Sequence, residues 1–217
     1  MDTRQKQGCQ PNTALEVRNG VPSSRRAFTL IELLITLVLM IVIATLYFGA
    51  GSPSLQKKQK RLCQQNLQKM YLAMEIYATE HRGRFPESPN ATTSEDVLDL
   101  LVPRYTVDTS VFICPGSKDP SIPSGESVIE RKISYAYFMG HRSSESSSVL
   151  ISDRQVNTNP KQEGAPLFSS DGEPPGNNHH KFGGNFLFTD GRVESAGATA
   201  PFSLTFPPSI HLLNPKP

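Results

Sequence analysis

The stretch Arg25-Arg26-Ala27-Phe28-Thr29-Leu30-Ile31-Glu32-Leu33 joins a basic segment to a long apolar run that carries one acid. A membrane-spanning helix needs ~20 mostly apolar residues, and residues 28–50 supply them with Glu32 as the only charged residue. A charge inside a bilayer costs about 2.5–3.5 kcal/mol on insertion scales and usually has a partner. Because residues 28–50 contain no basic residue, Glu32 needs a cation from elsewhere. Cleavage between Ala27 and Phe28 would supply this cation, because it creates a new α-amino group at Phe28.

The segment Phe28-Thr29-Leu30-Ile31-Glu32-Leu33-Leu34 resembles the prepilin cleavage and methylation site of type IV pilins and type II secretion pseudopilins. The resemblance implies that a prepilin peptidase removes the leader, residues 1–27, and methylates Phe28. It also implies that Glu32 pairs with the N-terminus of a neighbouring subunit in a filament. The family strongly prefers Gly before the cut, where this chain has Ala27. The alternatives are an ordinary signal anchor with an incidental acid and a secretory signal peptide, whose apolar core of ~7–15 residues fits less well.

The same resemblance implies a location and partners. The leader must meet a peptidase that faces the cytoplasm, so the chain is expected to cross the inner membrane once, with its C-terminal part in the periplasm. Copies of the chain and other pilin-like subunits would then join it in a periplasmic or surface filament. The leader holds five Lys/Arg and two Asp/Glu, which leaves a net charge of −1 for the remainder out of +2 in total. A nearly neutral mature chain gives no electrostatic support to a nucleic-acid partner.

The apolar run is predicted to continue as an amphipathic helix. Pro53 marks a position where a long helix bends or restarts, and it separates a membrane half, residues 28–53, from an amphipathic half, residues 54–82. Basic residues, Gly83 as a C-cap and then Pro86 predict where the helix ends. Apolar residues recur at steps of three, four or seven, as in a helix packed on a domain: Leu55, Leu62, Cys63, Leu67, Met70, Met74 and Tyr77.

Residues 83–217 are predicted to form a globular head with long loops and a Pro-rich tail. A short helix is expected from Ser94 to Val102, and Asp190-Gly191 is a strong hairpin signal. The predicted fold class is α+β and pilin-like, with the long N-terminal helix packed on a small antiparallel sheet. The predicted strands are 111–114, 133–138, 149–152, 185–189 and 192–195.

His180 is followed by nine residues and then by Asp190-Gly191. This His-x9-Asp-Gly pattern, together with Cys63-Gln64-Gln65-Asn66-Leu67 and Phe112-Ile113-Cys114-Pro115, resembles a bacterial pseudopilin-like subfamily over most of residues 25–195. We expect His180 and Asp190 to order their loop through hydrogen bonds. The alternatives are a bound calcium or similar ion, since imidazole and carboxylate ligate several metals, and catalysis. Because the chain has no G-x-S-x-G, H-E-x-x-H or phosphate-binding loop, we expect neither an enzyme nor a cofactor.

The cysteines offer one candidate disulfide. Cys9 lies in the leader and is lost on processing, so the mature chain keeps Cys63 and Cys114. A location outside the cytoplasm permits a disulfide. Cys63 lies on the apolar face of the predicted helix, and Cys114 ends a strand that could pack there. A Cys63–Cys114 disulfide and a pair of buried free thiols are the two interpretations.

Two classes of function follow from these patterns. The first is a structural pilin-like subunit of a type II secretion pseudopilus or a type IV pilus-like fibre. The second is a membrane-anchored binding or metal-dependent module that does not polymerise. Glu32 separates the two, because a simple anchor gains nothing from an acid at that depth.

Overall fold

The first helix is apolar on all sides. The computed structural model describes residues 29–49 and 53–217, and helix α1 spans Leu30–Gly49. Residues 29–46 are all exposed. Among the described residues, no helix combines the length and the mean hydropathy of a membrane span. The chain divides into two compact units, Met1–Tyr47 and Phe48–Pro217.

Helix α2 spans Pro53–Glu80 and begins at the proline that was predicted to interrupt the helix. Proline suits the first turn, where its missing N–H has no helical partner. The predicted apolar face is confirmed from Cys63 to Tyr77, where its members are at most 9 % exposed. It is wrong at Leu55 and Leu62, which are 37 % and 38 % exposed.

The C-terminus of α2 forms the predicted glycine-containing cap, with one difference. The Gly83 N–H donates to Ala78 O at 2.8 Å, the long hydrogen bond of a Schellman motif. Arg82 occupies the left-handed position before it, with φ of 57°, and Gly83 follows with φ of 74°. The position that usually favours glycine is therefore filled here by an arginine.

The remainder of the second unit is built on one antiparallel sheet of five strands: β1 Tyr135–Met139, β2 Val149–Asp153, β3 Gly184–Phe188, β4 Val193–Ala196 and β5 His211–Leu213. Their order in the sheet is β4-β3-β2-β1-β5. Asp190-Gly191 joins β3 to β4 in the predicted hairpin, with Leu187 opposite Val193. This small sheet confirms the predicted α+β class.

Both faces of the sheet are covered, because successive side chains of a strand point to opposite sides. Tyr137 lies in the core shared with α2, whereas its neighbour Phe138 lies in a second core on the other face. That second core is closed by the irregular C-terminal segment through Ala200, Phe202 and Leu204. The sheet is therefore the middle layer of three.

Two predicted elements differ from the structure, and one strand was not predicted. The strand predicted at 111–114 is replaced by a 3₁₀ helix, Thr109–Phe112. Its first residue is anchored by Thr109 Oγ1, which donates to Ile122 O and Pro123 O. The helix predicted from Ser94 is a single α-helical turn, α3 Glu95–Leu98, continued by a 3₁₀ turn, Asp99–Leu101. Strand β5 was not predicted, since its three residues pair with β1 from a tail without periodicity.

Candidate functional site

Glu32 closes a capping box at the start of α1. The Thr29 N–H and Oγ1 both donate to Glu32 Oε2, at 3.1 and 3.2 Å, and the Glu32 N–H donates to Thr29 Oγ1 at 3.3 Å. A Ser or Thr followed three residues later by Glu or Gln satisfies two backbone donors that the helix leaves open. The acid thus has a local structural role that the sequence argument missed. The predicted cleavage residues, Ala27 and Phe28, lie outside the described residues.

Among the described residues, no hydrogen bond or ion pair joins His180 to Asp190. Both are exposed. Hydrogen bonds from the Glu173 N–H and the Ser169 hydroxyl are the main causes of the lowered pKa of Asp171. The charge interaction with His180 is a smaller cause. Asp190 Oδ1 accepts a hydrogen bond at 3.0 Å from the backbone N–H of Arg192 and serves the hairpin turn.

The neighbouring histidine, His179, lies instead in a fully buried cluster. Two consecutive turns place it: the His180 N–H donates to Asn177 O, and the Phe182 N–H donates to His179 O. His179 Nε2 is then 3.4 Å from Asp153 Oδ2 and 3.4 Å from Cys114 Sγ. Cys114 forms a disulfide with Cys63, and their Cα atoms are 5.3 Å apart. Potential ligand atoms of these four residues all lie within 4.8 Å of one another.

Asp153, at the end of β2, is the centre of this cluster. Its Oδ1 accepts a hydrogen bond from Asn178 Nδ2 at 2.7 Å, and its Oδ2 accepts from the Asn185 N–H at 2.7 Å and from Asn185 Nδ2 at 3.0 Å. Burial disfavours the ionised carboxylate, but His179 and these hydrogen bonds outweigh it and keep the pKa of Asp153 below its ordinary value. The cluster therefore holds a charged carboxylate without exposure to solvent.

Helix α2 enters this network through Lys60. Lys60 Nζ donates to Phe182 O at 3.0 Å and to Ala196 O at 2.7 Å, and Asn185 Nδ2 donates to Lys60 O at 3.3 Å. Burial lowers the pKa of Lys60, and the nearby charge of Asp153 opposes that shift. Polar contacts as well as apolar ones thus fix the helix to β3 and β4.

The cluster cannot act on an external substrate in this conformation, because Cys63, Cys114, Asp153 and His179 are all 0 % exposed. Its residue types are those that ligate small metal ions once the two sulfurs are reduced. Sequence reasoning missed Asp153 and selected His180 rather than the neighbouring His179. The available signals were weak: a carboxylate that directly follows an apolar strand, and a second histidine beside the one chosen.

Comparison with known families assigns only the N-terminal part of the chain. Residues 22–48 match the family model of the prokaryotic N-terminal methylation motif. Comparisons with curated proteins and with solved structures gave no match. The motif supports a pilin-type or pseudopilin-like protein that undergoes prepilin processing. The His-x9-Asp-Gly pattern lies beyond residue 48, so its resemblance to a subfamily stays a prediction.

Proposed function

We propose that this chain is a structural pilin-like subunit, cut by a prepilin peptidase between Ala27 and Phe28, N-methylated at Phe28 and assembled into a type II secretion pseudopilus or a type IV pilus-like fibre. The match of residues 22–48 to the methylation motif is the observation that carries this proposal. In this proposal the chain is not an enzyme.

Anchoring in the inner membrane before assembly is part of the proposal. It rests on the motif and on the sequence of residues 28–50, which has one charge, rather than on a span identified in the structure. The all-round exposure of residues 29–46 supports it, because an isolated helix that is apolar on all sides needs lipid or other subunits around it. The head would then lie on the periplasmic side.

Processing is the first test. Mass spectrometry of the chain extracted from membranes should find a mature N-terminus at Phe28 carrying one methyl group. Replacing Ala27 by Gly should raise the processed fraction, since the resembled family prefers glycine before the cut. An intact Met1 terminus in cells with active prepilin peptidase would refute the assignment.

Assembly is the second test, and the capping box provides a matched pair of variants. Glu32→Gln keeps a carbonyl oxygen for the capping hydrogen bonds but removes the charge, whereas Glu32→Ala removes both. If Glu32 pairs with a neighbouring N-terminus, both variants should insert into the membrane and neither should form sedimentable filaments. Wild-type filament yield from Glu32→Gln would show that the acid acts only as a helix cap.

A further inference from the structure

We propose that Cys63, Cys114, Asp153 and His179 form a closed zinc site when the Cys63–Cys114 disulfide is reduced. This site is independent of the proposed filament function. It also differs from the sequence-based candidate, because it uses His179 in the core rather than the exposed His180.

Two of the distances between ligand atoms already suit one tetrahedral ion, and all of them are at most 4.8 Å. Zinc bonds of about 2.3 Å to sulfur and about 2.0–2.1 Å to nitrogen or oxygen put neighbouring ligand atoms roughly 3.3–3.8 Å apart. His179 Nε2 is already 3.4 Å from both Asp153 Oδ2 and Cys114 Sγ. The two sulfurs, bonded in the disulfide, need to separate by about 1.7 Å.

Neighbouring groups favour the charged forms of the ligands. The Gly116 N–H donates to Cys114 Sγ at 3.3 Å, which stabilises a thiolate. Asn178 and Asn185 orient the Asp153 carboxylate, as outer hydrogen bonds do for metal ligands. Gly116 cannot carry a side chain here, because an added Cβ would lie 2.4 Å from Asn178 O and 2.7 Å from His179 Nδ1.

The charges of the site also balance. Two thiolates and one carboxylate around Zn²⁺ sum to −1, and the basic side chain of Lys60, whose Nζ donates to Phe182 O and Ala196 O, lies beside the cluster. Thiolate ligands select zinc over calcium, which prefers oxygen. Four protein ligands and complete burial define a structural rather than a catalytic ion.

A cavity lies beside the cluster. The cavity has a volume of about 490 Å³ and is lined in part by Gly116, Asn178 and His180. Asn178 and His180 flank His179 in the chain. His179 Nδ1 faces this side, close to Gly116, and has no hydrogen-bond partner in the described structure. None of the four ligand residues lines this cavity, so an ion from this side reaches them only when the wall moves.

The disulfide and the zinc ion are mutually exclusive. A dithiol reductant transfers two electrons and two protons to the disulfide, becomes a disulfide itself and leaves two thiols on Cys63 and Cys114. Binding of Zn²⁺ then releases those two protons to water and forms two Zn–S bonds. Each state clamps α2 to the segment after the 3₁₀ helix, so the clamp persists across a change in redox conditions.

Cobalt(II) titration of the unprocessed full chain in detergent tests the site directly. After anaerobic reduction with dithiothreitol and its removal, the chain should bind one cobalt per molecule with a thiolate charge-transfer band and the strong visible bands of tetrahedral cobalt. Zinc should displace it, and the oxidised chain should show neither band. The matched variants are His179→Ala, expected to weaken binding at least about tenfold, and His180→Ala, expected to bind as wild type.

Thiol protection gives a readout that does not depend on a variant folding. Zinc should slow alkylation of Cys63 and Cys114 in the reduced wild-type chain at least about tenfold, while Cys9 in the leader serves as an internal control and reacts at an unchanged rate. Equal alkylation with and without zinc would overturn the proposal. So would cobalt binding without a thiolate band, or equal affinities of the His179 and His180 variants.

Discussion

Removing the Cys63–Cys114 disulfide should destabilise the second unit strongly. The two cysteines are 51 residues apart in sequence, and closing a loop of that length in the unfolded chain contributes about 4 kcal/mol to stability at 25 °C in the chain-entropy treatment. The double variant Cys63→Ala/Cys114→Ala loses this constraint and also leaves small voids, since both side chains are fully buried. We therefore expect a loss of at least about 4 kcal/mol.

Urea denaturation of the full chain in detergent, followed by far-ultraviolet circular dichroism, measures this loss. The chain has no tryptophan, so indole fluorescence cannot report on it. With an m value of about 2 kcal/mol/M, the midpoint should fall by about 2 M. Chelator must be present throughout, because zinc would stabilise the wild-type sample that is reduced with dithiothreitol.

The matched control is Cys9→Ala, whose cysteine lies in the leader. It should unfold at the wild-type midpoint, and wild-type protein reduced with dithiothreitol in chelator should approach the double variant. A midpoint shift below about 0.5 M for the double variant would refute the reasoning, because it corresponds to about 1 kcal/mol, far below the loop-closure contribution.

The remaining predictions concern the polar network and the hairpin. Asp153→Asn should cost about 3 kcal/mol of stability at neutral pH. The pKa of Asp153 is lowered in the folded chain, so its stabilisation is complete above the unfolded pKa of about 3.9 and disappears as the pH falls through the folded value. The urea midpoints of the variant and the wild type should therefore converge below about pH 4. Lys60→Met leaves two backbone carbonyls without their donor and should cost about 2 kcal/mol, whereas the exposed Lys58→Met should cost little in the same urea assay; equal losses would contradict a docking role for Lys60. Asp190→Ala removes a hydrogen bond of the turn and should lower stability by about 1 kcal/mol. His180→Ala changes an exposed side chain and should lower stability by less than about 0.5 kcal/mol. Thermal midpoints of the two variants in chelator test this order, and a larger loss for His180→Ala would contradict it.

Local signals predicted the elements that local chemistry specifies. The α2 face from Cys63 to Tyr77 follows helical periodicity, and the hairpin follows Asp190-Gly191. Residues 111–114 resembled a strand because they are apolar and β-branched. In the structure, the hydroxyl of Thr109 donates to distant carbonyls and the backbone forms a 3₁₀ helix instead. Strand β5 forms by pairing with the edge of β1.

The choice between His179 and His180 shows why the buried cluster could not be predicted. The two residues are adjacent and chemically identical, and the sequence pattern selects the one at a fixed distance from Asp190-Gly191. Which imidazole points inward is set by the turn at Asn177 and by the end of β2, some 25 residues earlier, where Asp153 meets Asn178. Such long-range placement has no signature in a single sequence.

Glu32 illustrates how one side chain can satisfy two requirements. Within the described residues its hydrogen bonds use only Oε2, so the capping box occupies one carboxylate oxygen. Oε1 stays available to an ammonium group, and a carboxylate can serve both partners because each oxygen carries acceptor capacity. Glutamine retains an acceptor for Thr29, but its other terminal atom is a donor that repels an ammonium. The capping box alone therefore explains an amide or an acid at this position, and only the requirement for a charge, tested by Glu32→Gln, distinguishes a filament subunit from a capped anchor.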